Sequence, residues 1–277
     1  MSALAIERQG PLGLVTLNRA DRHNAFDDVL IAELTAALRQ MEADDAIRVV
    51  ILAAAGRSFS AGADLHWMRR MAGYSADDNR RDALALGELM RTLANLAKPT
   101  IARVQGAAYG GGVGLVACCD IAVATQDAAF SFSEVKLGLI PAVISPYAIA
   151  AIGERAARRY FLTGERFEAA EAWRLGLVHE LCRDAEDMDE KIGALVDVLL
   201  AGGPVAQREA KELVRAVAGR TVTHELVQDT AERIAKIRAS PEGREGVAAF
   251  LEKRRAAWVP PPPPEPDQDV PPEMPAE

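Results

Sequence analysis

Apolar and polar positions along this chain switch between two periods, and the switches predict its elements. Residues 3–8 and 13–17 alternate as two short strands joined by the turn at Gly10-Pro11. Over residues 27–43 the spacing becomes helical, with Val29, Leu30, Leu34, Ala37, Leu38 and Met41 apolar. Residues 48–54 (RVVILAA) form a continuous apolar run, which reads as a buried strand, and Gly56 to Gly62 follows as a small-residue loop. A second amphipathic helix is predicted over 79–97 and is ended by Lys98-Pro99. Residues 100–105 are the next strand. Gly110, Gly111 and Gly112 then open an apolar helix, DIAVAT resumes as a strand, and residues 129–133 add another. From Ser145 onward helical spacing dominates, broken at Gly202-Gly203-Pro204. Helices are predicted over 204–218, over 221–238, and from Pro241 to about Trp258 with Ser240 as N-cap. Strands alternating with helices, then helices alone, predict an α/β core with a C-terminal helical piece.

Composition divides the chain further. Of its 277 residues, 49 % are apolar and 26 % charged, ordinary values for a globular protein with a substantial core. The net charge of −8 disfavours a general nucleic-acid binder. Five of the acids and nine of the 15 prolines fall in residues 259–277, so the body carries only −3. Such a tail cannot bury a core and is expected to be disordered or partly polyproline II. Three cysteines, two of them adjacent (Cys118, Cys119, Cys182), make no disulfide framework and suggest a reducing compartment. No metal-ligand spacing, secretory signal or membrane span is visible, so a cytoplasmic protein without a metal is expected.

Three segments carry candidate chemistry. Backbone N–H groups at the start of the glycine-opened helix can hold a phosphate or a developing oxyanion, or the glycines can serve only a tight turn. The pattern is neither GxGxxG with a distal acid nor GxxxxGK[ST], so nucleotide phosphate binding by those devices is not supported. Ser60-Ala61-Gly62-Ala63-Asp64-Leu65, after a strand, could supply a second oxyanion donor or be an ordinary loop. Glu134, among Val135, Leu137, Leu139 and Ile140, could have its pKa raised by apolar surroundings and exchange protons near neutrality; its alternative is to face solvent or pair with Lys136. No GxSxG elbow supports serine hydrolysis, and Cys118 and Cys119 read as core.

The order of these segments resembles the enoyl-CoA hydratase/isomerase (crotonase) superfamily. The stretches that carry the resemblance are LGLVTLNRADRHNAF, FSAGADL, KPTIARVQGAAYGGGVGLVACCDIAVA, FSFSEVKLGLIP, AARRYFLTGERFEAAEAWRLGLV and EGVAAFLEKRRAAW, spanning about residues 4–258. The resemblance implies a ClpP/crotonase-like α/β spiral of ββα units over residues 1–200. A C-terminal helical trimerisation region would occupy 201–258, and the tail 259–277. It implies an acyl-CoA substrate and no separate cofactor, with the N–H groups of Ala63 and Gly111 as an oxyanion hole and Glu134 as acid/base. It further implies that Ala25 lies near the pantetheine and Ala63-Asp64-Leu65 near the adenine, with Ala61 also along the CoA, and that Phe250 and Lys253 help bind it, Lys253 at a phosphate, often across a subunit interface of a homotrimer or hexamer.

One departure matters. Two-glutamate hydratases of the family carry their first glutamate where this chain has Gly114. A single carboxylate suffices to shuttle a proton between two carbons, as in the family's isomerases. A finer resemblance, in PAVISPY, ERAARRYFLT and GADLHWMRRM, points towards the methylglutaconyl-CoA and isohexenylglutaconyl-CoA hydratases. Their substrates carry a distal carboxylate, for which Arg69, Arg70 and Arg158 are candidate partners. The expected activity is hydration of an enoyl-CoA by Glu134, helped by water held on backbone or hydroxyl groups near Gly114, with Δ3,Δ2-enoyl-CoA isomerisation as its rival. A non-catalytic acyl-CoA- or RNA-binding scaffold is the alternative of another class.

Overall fold

The computed structural model describes residues 2–261. A hairpin of β1 (Leu4–Gln9) and β2 (Leu12–Leu17) turns at Gly10, whose φ of 57° suits glycine. The chain continues through α1 (Asp28–Ala43), β3 (Val49–Ala54), α2 (Leu65–Met71), α3 (Ala76–Ala94), β4 (Thr100–Val104), β5 (Ala107–Tyr109), α4 (Gly111–Cys118), β6 (Ile121–Thr125) and β7 (Ala129–Ser131). After it come α5 (Ser145–Thr163), β8 (Phe167–Glu168), α6 (Ala169–Leu175), β9 (Glu180–Cys182), α7 (Ala185–Ala201), α8 (Pro204–Val217), α9 (His224–Ala239) and α10 (Pro241–Leu251).

Six strands form one sheet in the order β1-β2-β3-β4-β6-β9, parallel from β2 onward, and β5-β7-β8 form a second. The unbroken apolar run of β3 has its explanation in burial of both faces. Val50 and Leu52 face the large core with α1, α3, α4 and α5, whereas Val49 and Ile51 join Ile101, Val123 and the α7 residues Met188, Ile192 and Val196 on the other side.

Two predicted helix boundaries move, and α2, β8 and β9 were not anticipated. The seven-residue α2 is too short to show a period and was not expected. Helix α3 begins at Ala76 because Ser75 and Asp78 form a reciprocal capping box, three residues before the first predicted helical position. Strands β8 and β9 interrupt the stretch read as helical; β9 exists through its pairing with β6. The last helix stops at Leu251, not Trp258: Lys253 takes a left-handed φ of 55°, and the chain folds back so that Arg254 pairs with Glu245 and the Trp258 indole donates to Ala201 O at 3.0 Å. The C-terminal helices α8–α10 are tied to the core by Lys211, which bonds Asp120 at 2.6 Å and Lys98 O at 3.0 Å. No helix among the described residues is long and apolar enough to cross a membrane. The predicted tail falls, beyond residue 261, outside the described residues.

Candidate active site

Three chain segments run side by side and end at the same level. Ser60 bridges Ala108 in β5, donating its N–H to Ala107 O and accepting from Tyr109 N, while β5 pairs in parallel with β7. Each segment then leaves its strand in a different way. Past Ser60 the chain turns at Gly62 (φ 89°) and reaches Ala63. Past β5 it turns at Gly110 (φ 52°, ψ −120°), held by its N–H on Ser131 O at 2.9 Å, and enters α4 at Gly111. Past β7 it forms a short 3-10 turn, Ser133–Leu137, that carries Glu134. Parallel pairing thus brings Ala63, Gly111 and Glu134, distant in sequence, to one cavity of about 490 Å³ that all three line.

The N–H groups point usefully. Phe26 donates to Gly62 O and Asp64 donates to Phe26 O, both at 2.7 Å, so the peptide groups flanking Ala63 face Phe26 and the Ala63 N–H faces the other way. It donates no hydrogen bond among the described residues. Gly111 is the first helical residue of α4, where an N–H has no intrahelical acceptor and the helix dipole adds partial positive charge.

Glu134 lines the same chamber with an awkward carboxyl. Its Oε2 is buried without a partner among the described residues. Burial pushes its pKa up from the ordinary glutamate value, and a bond from its own N–H only partly opposes this. The 3-10 turn rests on an aromatic base, with Phe132 against Phe161 (4.8 Å between centroids) and Phe167 (6.1 Å). The rest of the cavity wall is largely carbon: Leu65, Trp67, Met68 and Met71 from α2, Ala83 and Leu86 from α3, and the segment Leu137 to Ile144. Two N–H groups and a carboxyl that share one largely apolar chamber are a set that can stabilise an oxyanion and move a proton beside it.

The chain belongs to the enoyl-CoA hydratase/isomerase family. The family's model matches residues 7–260, nearly the whole described chain. A solved enoyl-CoA hydratase from Shewanella pealeana superposes with a TM-score of 0.90 at 44 % identity, covering 93 % of this chain and 96 % of that one. A Thermus thermophilus relative is 35 % identical over 246 residues, 89 % of this chain and 96 % of its own. A crotonyl-CoA hydratase from Syntrophomonas wolfei is 30 % identical over 267 residues, 92 % and 97 % of the two chains. The architecture is therefore the crotonase fold anticipated from the sequence.

Within this family member the other expected site residues are distributed as follows. Ala61 and Leu65 line the chamber with Ala63, Gly111 and Glu134. Gly114 does not. Ala25 is buried beside the chamber's Phe26, outside the lining. Asp64 is buried and caps α2, accepting from His66 N at 2.8 Å and Trp67 N at 3.2 Å, with Arg22 and Arg19 within ion-pair range. Burial alone would raise its pKa; those N–H groups and the two guanidinium charges outweigh burial and hold it low. Phe250 (82 % exposed) and Lys253 stand at the end of α10, outside the lining. Arg69, Arg70 and Arg158 also lie outside it; Arg70 pairs with Asp28 and Arg158 with Glu154. Among the described residues no three His, Cys, Asp or Glu side chains gather as a metal set.

Sequence reasoning missed Asn24, fully buried at φ 53°. Its Nδ2 donates to Ala55 O and Ser58 O, both at 2.8 Å, and its Oδ1 accepts from Arg19 N at 2.8 Å. Ser60 has a similar role: its hydroxyl donates to Asn24 O at 2.9 Å and accepts from Gly62 N at 3.3 Å. Together they hold the loop beside Ala63. Asparagine's tolerance of left-handed backbone was the available signal.

Proposed function

We propose that the protein hydrates the α,β double bond of an enoyl-CoA. The observation that carries this reading is the meeting of Glu134 with the Ala63 and Gly111 N–H groups in one apolar chamber. In the proposed reaction the thioester carbonyl oxygen accepts from both N–H groups. Glu134, as carboxylate, takes a proton from water while the water oxygen bonds to Cβ. Electron density moves to the carbonyl oxygen, where the two N–H groups stabilise the enolate. Glu134 then returns the proton to Cα, which restores the carboxylate and completes the addition of water. The names of the hydratase relatives support this direction.

The wall supports an uncharged acyl group over a branched glutaconyl group, because a buried distal carboxylate needs a charged partner and the lining among the described residues holds no cationic side chain, its polar side-chain groups being Glu134, the Ser133 hydroxyl and the Trp67 indole N–H. Ala61 and Leu65 are proposed to flank the pantetheine and thioester, with Ala25 and Asp64 holding the loop behind them. Phe250 and Lys253 are proposed to reach the CoA from a neighbouring copy in a homotrimer or hexamer.

A second reading, Δ3,Δ2-enoyl-CoA isomerisation, is favoured by one observation. A Cβ on Gly114 would overlap Ile144, so the chain has no room there for a second carboxylate to hold water. One assay separates the two. Crotonyl-CoA loses its conjugated absorbance on hydration, whereas a 3-enoyl-CoA gains it on isomerisation. Turnover of neither substrate, with Glu134→Gln indistinguishable from wild type, would overturn both readings.

A further inference from the structure

Gly114 lies one helical turn beyond Gly111 on α4, so both residues belong to one face of that helix. Gly111 lines the chamber and Gly114 does not; Ile144 does. A Cβ built on Gly114 would overlap Ile144 Cγ2 and would lie 3.0 Å from Ile144 Cβ and 3.1 Å from Met90 Cε. Ile144, 2 % exposed, therefore seats its side chain in the notch that the glycine leaves in α4 and stands between that notch and the chamber. Glycine is a poor residue for a helix interior; here its missing side chain is replaced by one from the segment that enters α5.

We infer that Ile144 sets the depth of the acyl chamber and thereby the acyl chains that it accepts. The inference rests on the acyl-CoA reading above and adds to it a specificity-determining residue. The geometry gives it a scale: with a rise of 1.5 Å per residue, a chamber opened from Gly111 to Gly114 would deepen by about 4.5 Å along α4. The new depth would be walled by Met90 and by the helix itself, both apolar, so the extra room suits alkyl carbon and not a charged group.

The test is binding of saturated butyryl-, hexanoyl-, octanoyl- and decanoyl-CoA, by calorimetry, to full-length wild type, Ile144→Val, Ile144→Ala and Gly114→Ala/Ile144→Ala. In Ile144→Ala the affinity for the longer chains relative to butyryl-CoA is expected to rise by about tenfold or more, the scale on which an apolar pocket distinguishes methylenes. Ile144→Val removes only Cδ1 and keeps the Cγ2 that fills the notch, so its ratio should stay near that of wild type. The double variant, which refills the notch from the helix side, should move the ratio back towards wild type. A chain-length ratio unchanged in Ile144→Ala, with butyryl-CoA still bound, overturns the inference. If that variant does not fold, an unchanged ratio in Ile144→Cys, which keeps a single γ atom in place of two, does so. Failure of wild type to bind any of the four ligands would instead overturn the acyl-CoA reading itself, and this inference with it.

Discussion

The space that a Cβ on Gly110 would occupy lies 3.2 Å from Oε1 of Glu134. The two residues are 24 positions apart, yet the turn at one leaves room for the carboxyl of the other. Gly110 also holds φ 52° and ψ −120°, a backbone that side-chain-bearing L residues avoid. Gly110→Ala is therefore expected to cost about 1–3 kcal/mol of stability and to lower kcat at least tenfold by displacing Glu134. A melting curve and steady-state kinetics check both; wild-type kcat in a folded variant would show that Glu134 does not depend on this clearance.

Gly111 offers a way to delete one N–H while sparing the helix. Proline is well tolerated at the first helical position, where its missing N–H has no intrahelical acceptor to lose. The nearest obstacle to a side chain there is the Phe26 ring, at an ordinary contact of 3.4 Å. Under the proposed mechanism Gly111→Pro removes half of the oxyanion hole. The expected loss is about 10²–10³ in kcat, with the helix content by circular dichroism retained. A folded Gly111→Pro protein with full activity would remove Gly111 from the mechanism.

Much of this was legible in the chain. The helix of 28–43, the buried run 49–54 and the glycine-opened helix announce themselves because each is long or apolar enough to show its period. The chemistry was legible as three separate segments. What was hidden is their convergence, since β5 and β7 have only three residues each and exist through mutual pairing, not local propensity. Ile144 was hidden for the same reason: nothing about an isoleucine near Pro146 discloses that its side chain fills a notch in α4. Asp64 illustrates the reverse case, a polar residue in a motif whose contacts in the fold are a helix cap and two arginines.

The pH dependence of Glu134 follows from its surroundings. Burial raises its pKa above the ordinary glutamate range, so the carboxylate that the proposed mechanism requires forms only at higher pH. Activity is expected to fall with acid along a limb centred above the usual carboxylate range, and Glu134→Gln should lose about 10²–10⁴ in rate. Stability should move in the opposite sense. A carboxyl whose folded pKa lies above its unfolded one binds protons more tightly when folded, so its contribution falls as pH rises through that window. Glu134→Gln should then be more stable than wild type at neutral pH, with the gap closing below the ordinary glutamate pKa. Thermal melts of both proteins across pH test the sign; a gap that widens in acid would contradict it.

Asn24 is the residue whose loss should connect stability to catalysis. Its amide closes three hydrogen bonds in a fully buried position, and its own carbonyl accepts from Ser60, which in turn steadies Gly62 beside Ala63. Asn24→Asp preserves the size and the acceptor for Arg19 N but turns an oxygen towards the carbonyls of Ala55 and Ser58, which can only accept. A buried acceptor (Ser58 O) and a half-buried one (Ala55 O) lose their donor, and a charge is placed against them. The expected cost is about 2–4 kcal/mol, from leaving buried polar groups unpaired. Because the same loop holds Ala63, kcat should fall in the protein that remains folded, while mild acid, which protonates the new carboxyl and restores a donor, should recover part of the stability. Denaturant titrations at two pH values measure this; equal destabilisation at both would indicate that packing, not hydrogen bonding, is what Asn24 supplies.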